Sequence, residues 1–395
     1  ALRSNQNRIR LVSVRQEGGG SLAAHGYAQV KRKPAAVFVS RGPGAANASI
    51  GLHAAHQDSI PMVMFLGQVR SHMKGRESFQ EIDPKTSFGS MSKAVLEPNS
   101  AQEMVTMARQ AIEISQSGRP GPVVVVMPRD FGETKVDEDI EPRPYERKQV
   151  LSDQKSSNEL IDGLNKSVKP ILLAGELARG ENVRDLLVQL SDRLRAPVIS
   201  AYRCQDVVEN HHPCYAGHLE INPVEYQDKL FEESDFIAVL GSRLDGITSR
   251  EETLIKDDDK WAHIHPDNIV LERFNSNIPV QSDVVPLLTD IMNRIEQKDH
   301  KDSIWRSKAH SEYLKFSTPG SYPVNGSVDL SYIAETAREL LPPKSIILTD
   351  GGSYARWIHR FFKFNAPLTQ GGTASGAMGG GVPGAIGAYL ASNDD

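Results

Sequence analysis

Cysteine is nearly absent from this 395-residue chain: there are two, Cys204 and Cys214, with no pairing motif around either. That excludes a disulfide framework and fits a reducing cytoplasm. Long apolar runs are missing as well. None approaches the ~18–20 residues of a membrane span, and the longest are strand-sized. Nor is there a basic excess, since 45 Lys and Arg stand against 50 Asp and Glu for a net charge of −5. Nucleic-acid binding needs a concentrated basic footprint, and the one basic cluster, Lys31-Arg32-Lys33, reads as a short solvated loop. His211, His212 and the two cysteines lack the ligand spacing of a zinc site.

What is present is ordinary for a globular chain, 39% hydrophobic and 24% charged. The length suggests two or three domains. The chain opens on Ala1 rather than Met and reads as a piece of a longer protein.

The first third alternates strand and helix signals. Leu11–Val14, Ala35–Ser40, Pro61–Gly67 and Pro122–Met127 are short apolar runs, the last three bounded by Gly or Pro as buried parallel strands are. Between them lie helix candidates over Glu17–Val30 and Ala101–Ser115, the second with a capping box at Ser100 and Glu103. After a charged, Pro-containing linker at about 132–158, a second α/β unit shows strands at Pro170–Ala174, Pro197–Ser200, Phe236–Gly241 and Trp261–His265, with a helix over Asn182–Leu194. A polar stretch, Lys298–Ser327, reads as another linker. Helix Leu330–Leu341 and strand Ser345–Thr349 then open a third unit that stops too soon to cover a sheet. The pattern predicts an α/β protein of three doubly wound parallel-sheet domains, over 1–135, 155–297 and 328–395, the first and third incomplete.

The chemistry sits in glycine-rich segments that follow strands. Val14-Arg15-Gln16-Glu17-Gly18-Gly19-Gly20 places a carboxylate at a helix start, where unpaired N–H groups and the helix dipole favour it. Arg41-Gly42-Pro43-Gly44-Ala45-Ala46-Asn47 reads as a stiff loop that lets backbone approach a ligand. Downstream come Phe79-Gln80-Glu81 and Gly118-Arg119-Pro120-Gly121-Pro122. In this order the segments resemble the pyrimidine-binding domain of thiamine-diphosphate enzymes, nearest to acetolactate synthase. Thr349-Asp350-Gly351-Gly352-Ser353 and the run Ser375-Gly376-Ala377-Met378-Gly379 to Ala388 resemble the opening of the same family's diphosphate-binding domain. A phosphate cradle of another nucleotide fold stays open as an alternative for that last run.

The resemblance implies a role for each matching position. Glu17 would be the acid that activates the cofactor through its aminopyrimidine ring, and Pro43 and Asn47 would border that ring. Ser353 and Tyr354 would contact the diphosphate, with Gly376, Ala377 and Met378 packed under the bent cofactor. Phe79 and Gln80 would face the substrate, a small 2-oxo acid. The implied activity is thiamine-diphosphate-dependent decarboxylation and carboligation by a homodimer or homotetramer. Three departures stand against the family pattern. Gln16 precedes Glu17 where relatives commonly have His. The Mg²⁺ ligands, from a Gly-Asp-Gly motif and a later Asn, would fall beyond residue 395, so no metal ligand is assigned in this chain. In the middle unit, which holds FAD in some relatives, Glu176 and Leu177 stand where a Gly-rich turn is expected, which favours an empty structural domain over FAD. A catalytically silent subunit keeping the fold remains the alternative function, and a nucleotide-binding protein using only the central domain is a third.

Overall fold

The computed structural model describes residues 9–136, 145–299 and 303–393. It divides into two compact units, Ala1–Arg147 with Ser375–Asp395, and Lys148–Ala374. The expected third domain is thus not a body of its own: its residues up to Ala374 cluster with the central unit and the rest with the first.

In the first unit the elements run α1 Glu17–Lys31, β1 Ala35–Val39, α2 Gly42–Gln57, β2 Met62–Gln68, α3 Pro84–Phe88, β3 Ala94–Leu96, α4 Ala101–Gln116, β4 Pro122–Pro128 and α5 Arg129–Gly132. The strands form one parallel sheet in the order β1-β2-β4-β3. Pro122–Pro128 is almost wholly buried, as a central parallel strand must be. Leu11–Val14, expected to be strand-like, is exposed and unpaired with any strand. Gly42 and Pro43, expected in a loop, instead form the first turn of α2, where a proline costs no hydrogen bond. In α4, Ser100 Oγ accepts from the Glu103 amide as the capping box requires, but Glu103 reaches back to the Asn99 amide instead of that of Ser100.

The second unit contains α6 Gln154–Lys166, β5 Pro170–Ala174, α7 Glu181–Leu194, β6 Val198–Ser200, β7 Tyr215–His218, α8 Glu225–Glu233, β8 Phe236–Leu240, β9 Trp261–His265, α9 Asn268–Leu271, β10 Ile278–Gln281 and α10 Val284–Ile291. Its six-stranded sheet is parallel throughout, in the order β10-β9-β8-β5-β6-β7. The chain leaves β5 toward one edge and returns to its other side, a doubly wound topology with its switch point between β5 and β8. Next come α11 Ser303–Phe316, α12 Leu330–Leu340, β11 Ile347–Leu348, α13 Ala355–Phe361 and β12 Gln370–Gly371. Helix α11 occupies a stretch expected to be linker. It buries only Trp305, Ala309 and Tyr313, a stripe four residues apart that is easily lost among polar neighbours.

Asp206, buried after β6, ties β12 to this sheet. Its carboxylate pairs with Arg179 through two bonds of 2.8 and 2.7 Å and accepts from the amides of Thr369 and Gln370 at 2.9 and 3.1 Å. β12 pairs in turn with β11, which ends in the Thr349–Tyr354 segment. The last helix, α14 Gly381–Ser392, belongs to the first unit and packs on α1. Among the described residues no helix is long and apolar enough to cross a membrane.

Removing the Asp206 carboxylate strands the Arg179 charge in a site where both side chains are at most 3% exposed. Asp206→Ala should therefore lose roughly 3–5 kcal/mol, read as a lower urea midpoint for this unit.

Candidate active site

Helix α1 begins at Glu17 because Gln16 caps it, its side-chain oxygen accepting from the Gly19 amide at 2.7 Å. The Gln that departs from the family pattern therefore has a local role. Against α1 lies α2, running the same way. Gly18 meets the Asn47 carbonyl, Ser21 meets Gly51, and His25 Nε2 lies 2.7 Å from Asp58 Oδ2 in a buried pair. A Cβ at Gly51 would sit 2.3 Å from Ser21 Oγ, so only glycine permits this spacing. Two parallel helices present two positive N-terminal ends side by side.

The Glu17 carboxylate stands between those ends. Oε2 accepts from Asn47 Nδ2 at 3.0 Å, and Oε1 faces Gly44, whose Cβ, if present, would be 3.3 Å away. The Asn47 hydrogen bond, followed by the backbone amide of Glu17 itself, holds the carboxyl below its ordinary value of 4.5. Pro43 lies exposed one turn before Asn47. The Phe79–Gln80 loop is tied to the same end of α2, with Arg41 donating to the Phe79 carbonyl at 3.1 Å and the Gly42 amide to the Gln80 carbonyl at 3.0 Å. The Phe79 ring is 78% exposed and free to meet a ligand. Glu17, Pro43, Asn47, Phe79 and Gln80, up to 63 positions apart in the sequence, thus converge on one corner.

Gly376, Ala377 and Met378 lie in the same unit but elsewhere. They form the turn that leads into α14, and Met378 is 75% exposed. The backbones of α14 and α1 touch at Gly384 with Gly26 and at Gly387 with Ala23, so the two helices run in opposite directions. Glu17 is nine residues, about 13 Å of helix rise, toward the C-terminal half of α14, and Met378 is past its other end. One chain does not bring these two together.

Ser353 and Tyr354 belong to the second unit. They end the segment after β11, exposed, with the Tyr354 hydroxyl accepting from the Asp350 amide at 2.7 Å and Asp350 Oδ1 from Gly351 at 2.8 Å. At the β5–β8 switch point the turns are bonded to each other. Leu177 donates to the Gly241 carbonyl at 2.9 Å and Arg243 to Glu176 Oε1 at 3.2 Å, while a Cβ at Gly175 would fall 2.4 Å from Ser242 Cα. The two turns are thus held to each other by the protein's own backbone and by Glu176. The two cysteines are buried, and His212 Nδ1 lies 3.0 Å from Cys214 Sγ. Among the described residues no group of three His, Cys, Asp or Glu side chains is placed to hold a metal ion, so no step is assigned to one.

Comparison with known proteins decides the family. Residues 1–87 match the thiamine pyrophosphate enzyme N-terminal TPP-binding domain, and residues 157–291 match the thiamine pyrophosphate enzyme central domain. The chain belongs to the thiamine pyrophosphate enzyme family. Within it, the chain is similar to the probable acetolactate synthase large subunit of Methanococcus aeolicus, 28% identical over 96% of this chain and 67% of that protein. It is equally similar to the acetolactate synthase isozyme 1 large subunit of Escherichia coli, 28% identical over 99% and 69%. The chloroplastic acetolactate synthase of Arabidopsis thaliana is 29% identical over 98% of this chain and 59% of its own length. The chain thus spans about two thirds of such relatives or less. Glu17 and Asn47 both lie within residues 1–87, the stretch that matches the N-terminal TPP-binding domain.

If Asn47 is what lowers the Glu17 carboxyl, Asn47→Ala should move its pKa up toward 4.5. A side-chain carboxyl NMR titration of both proteins reads this directly, and an unmoved midpoint would reject the assignment.

Proposed function

We propose that this chain carries acetolactate-synthase-type chemistry: thiamine-diphosphate-dependent decarboxylation of a small 2-oxo acid and ligation of the product to a second carbonyl. One observation carries the reading. A carboxylate in the N-terminal cofactor-binding domain is fixed through Oε2 by Asn47, with Oε1 facing Gly44, at the joint N-terminal end of two helices. When bound, thiamine diphosphate supplies a carbon nucleophile and an electron sink. Glu17 would hold and pass a proton at its carboxylate, which Asn47 orients through Oε2. Pro43, exposed at the start of α2, would border the ring, and the exposed Phe79 and Gln80 would face the substrate. Ser353, Tyr354 and the turn at Gly376–Met378 are assigned to the diphosphate side; a Cβ at Gly376 would meet nothing within 4 Å, so its backbone is open to approach.

A second copy of the chain is part of the proposal. Glu17 and Met378 stand at opposite ends of the α1–α14 contact, so a site using both draws them from two copies. Helix α14 also presents Val382, Ile386 and Tyr389 outward, 76, 52 and 67% exposed, an apolar stripe that a second copy would cover.

Two measurements test these points. Glu17→Gln should lower 2-oxo acid carboligation by roughly 10²–10⁴-fold while cofactor affinity stays within a few-fold; near wild-type turnover would remove Glu17 from the mechanism. Light scattering of the active protein should give a dimer or tetramer. An active monomer would contradict the shared site.

A further inference from the structure

Arg203 is an unusual residue in three respects. Its backbone is left-handed, with φ of 58°, a conformation that costs a non-glycine residue about 1 kcal/mol or more. It is 6% exposed, yet among the described residues no carboxylate pairs with it. Its guanidinium is held by neutral oxygens only, the Tyr202 hydroxyl at 3.3 Å and the carbonyls of Thr349 and Asp350 at 3.5 and 3.3 Å. Those are long bonds for N–H donors and leave the charge weakly satisfied.

The fold makes room for this group specifically. Gly372, just past β12, has φ of 128°, and a Cβ there would lie 2.2 Å from Arg203 Nη1. The charge acts on its neighbours. His359, buried on α13, has its Nε2 without a partner, and its imidazole is pushed well down, by burial first and then by Arg203 and His218. Glu220, which bears on the same histidine cluster, is engaged with His218 at 3.0 Å.

A buried cation without a counter-charge is costly unless an anion arrives to meet it. The carbonyls it grips begin the Thr349–Tyr354 segment, the one assigned above to the diphosphate. We infer that Arg203 is a positioning residue for that segment and supplies standing positive charge toward the cofactor's diphosphate. This inference rests on the functional reading given above.

The test compares thiamine diphosphate with thiamine, by calorimetry in the presence of Mg²⁺, on wild type and Arg203 variants of the full-length protein. The readout is the ratio of the two dissociation constants, which a merely structural role would not move. Arg203→Met should shrink the preference for the diphosphate form about tenfold, the worth of one partly screened nearby charge, and Arg203→Lys should restore part of it. If Arg203→Met fails to fold by circular dichroism, Arg203→Gln, which can still donate to one carbonyl, carries the same expectation. An unchanged ratio in the folded neutral variant overturns the inference and leaves the functional reading standing. A wild type that binds no thiamine diphosphate overturns both.

Discussion

The first unit depends on how closely α1 can approach its neighbours. Helices pack at 8–10 Å when side chains separate them, but here backbone meets backbone on two sides. Gly51 of α2 admits Ser21 of α1, and a Cβ at Gly387 of α14 would lie 1.8 Å from the Ala23 carbonyl. The close approach of α2 sets Asn47 within hydrogen-bond distance of Glu17. Wider spacing would leave the carboxylate as an ordinary first-turn acid.

The second unit meets a different constraint. β11 and β12 form a pair of only two residues each, too small to hold themselves. Their position comes from buried polar groups: Asp206 takes the β12 amides, Gln205 donates its amide to Gln370 Oε1 at 2.7 Å, and Asn210 exchanges two bonds with Phe364 at 2.8 and 3.0 Å. Buried hydrogen bonds of this kind are strengthened by the low dielectric around them. This one fixes the strand next to β11, from which the exposed Ser353 and Tyr354 follow.

Local signals served where burial and period agree. The apolar runs at Pro170, Phe236 and Trp261 appear as β5, β8 and β9, because a strand covered on both faces is apolar throughout. They served poorly for short or edge elements. β3, β7 and β10 have three or four residues each and no run long enough to separate them from loop. Helix α11 hid its stripe, and the Gly-Pro-Gly turn disguised a helix start.

Glu17, Asn47, the Phe79–Gln80 loop and the glycine-rich run before α14 stood out in the sequence by residue type and order. Their geometry was not. Which oxygen of Glu17 is bonded, that α1 and α2 lie parallel, and that α14 runs against α1 with Met378 away from Glu17 all follow from contacts between residues far apart in the chain. Arg203 and Asp206 were invisible for the same reason. A charged residue shows nothing in sequence until burial removes its water, and burial is decided by the tertiary structure.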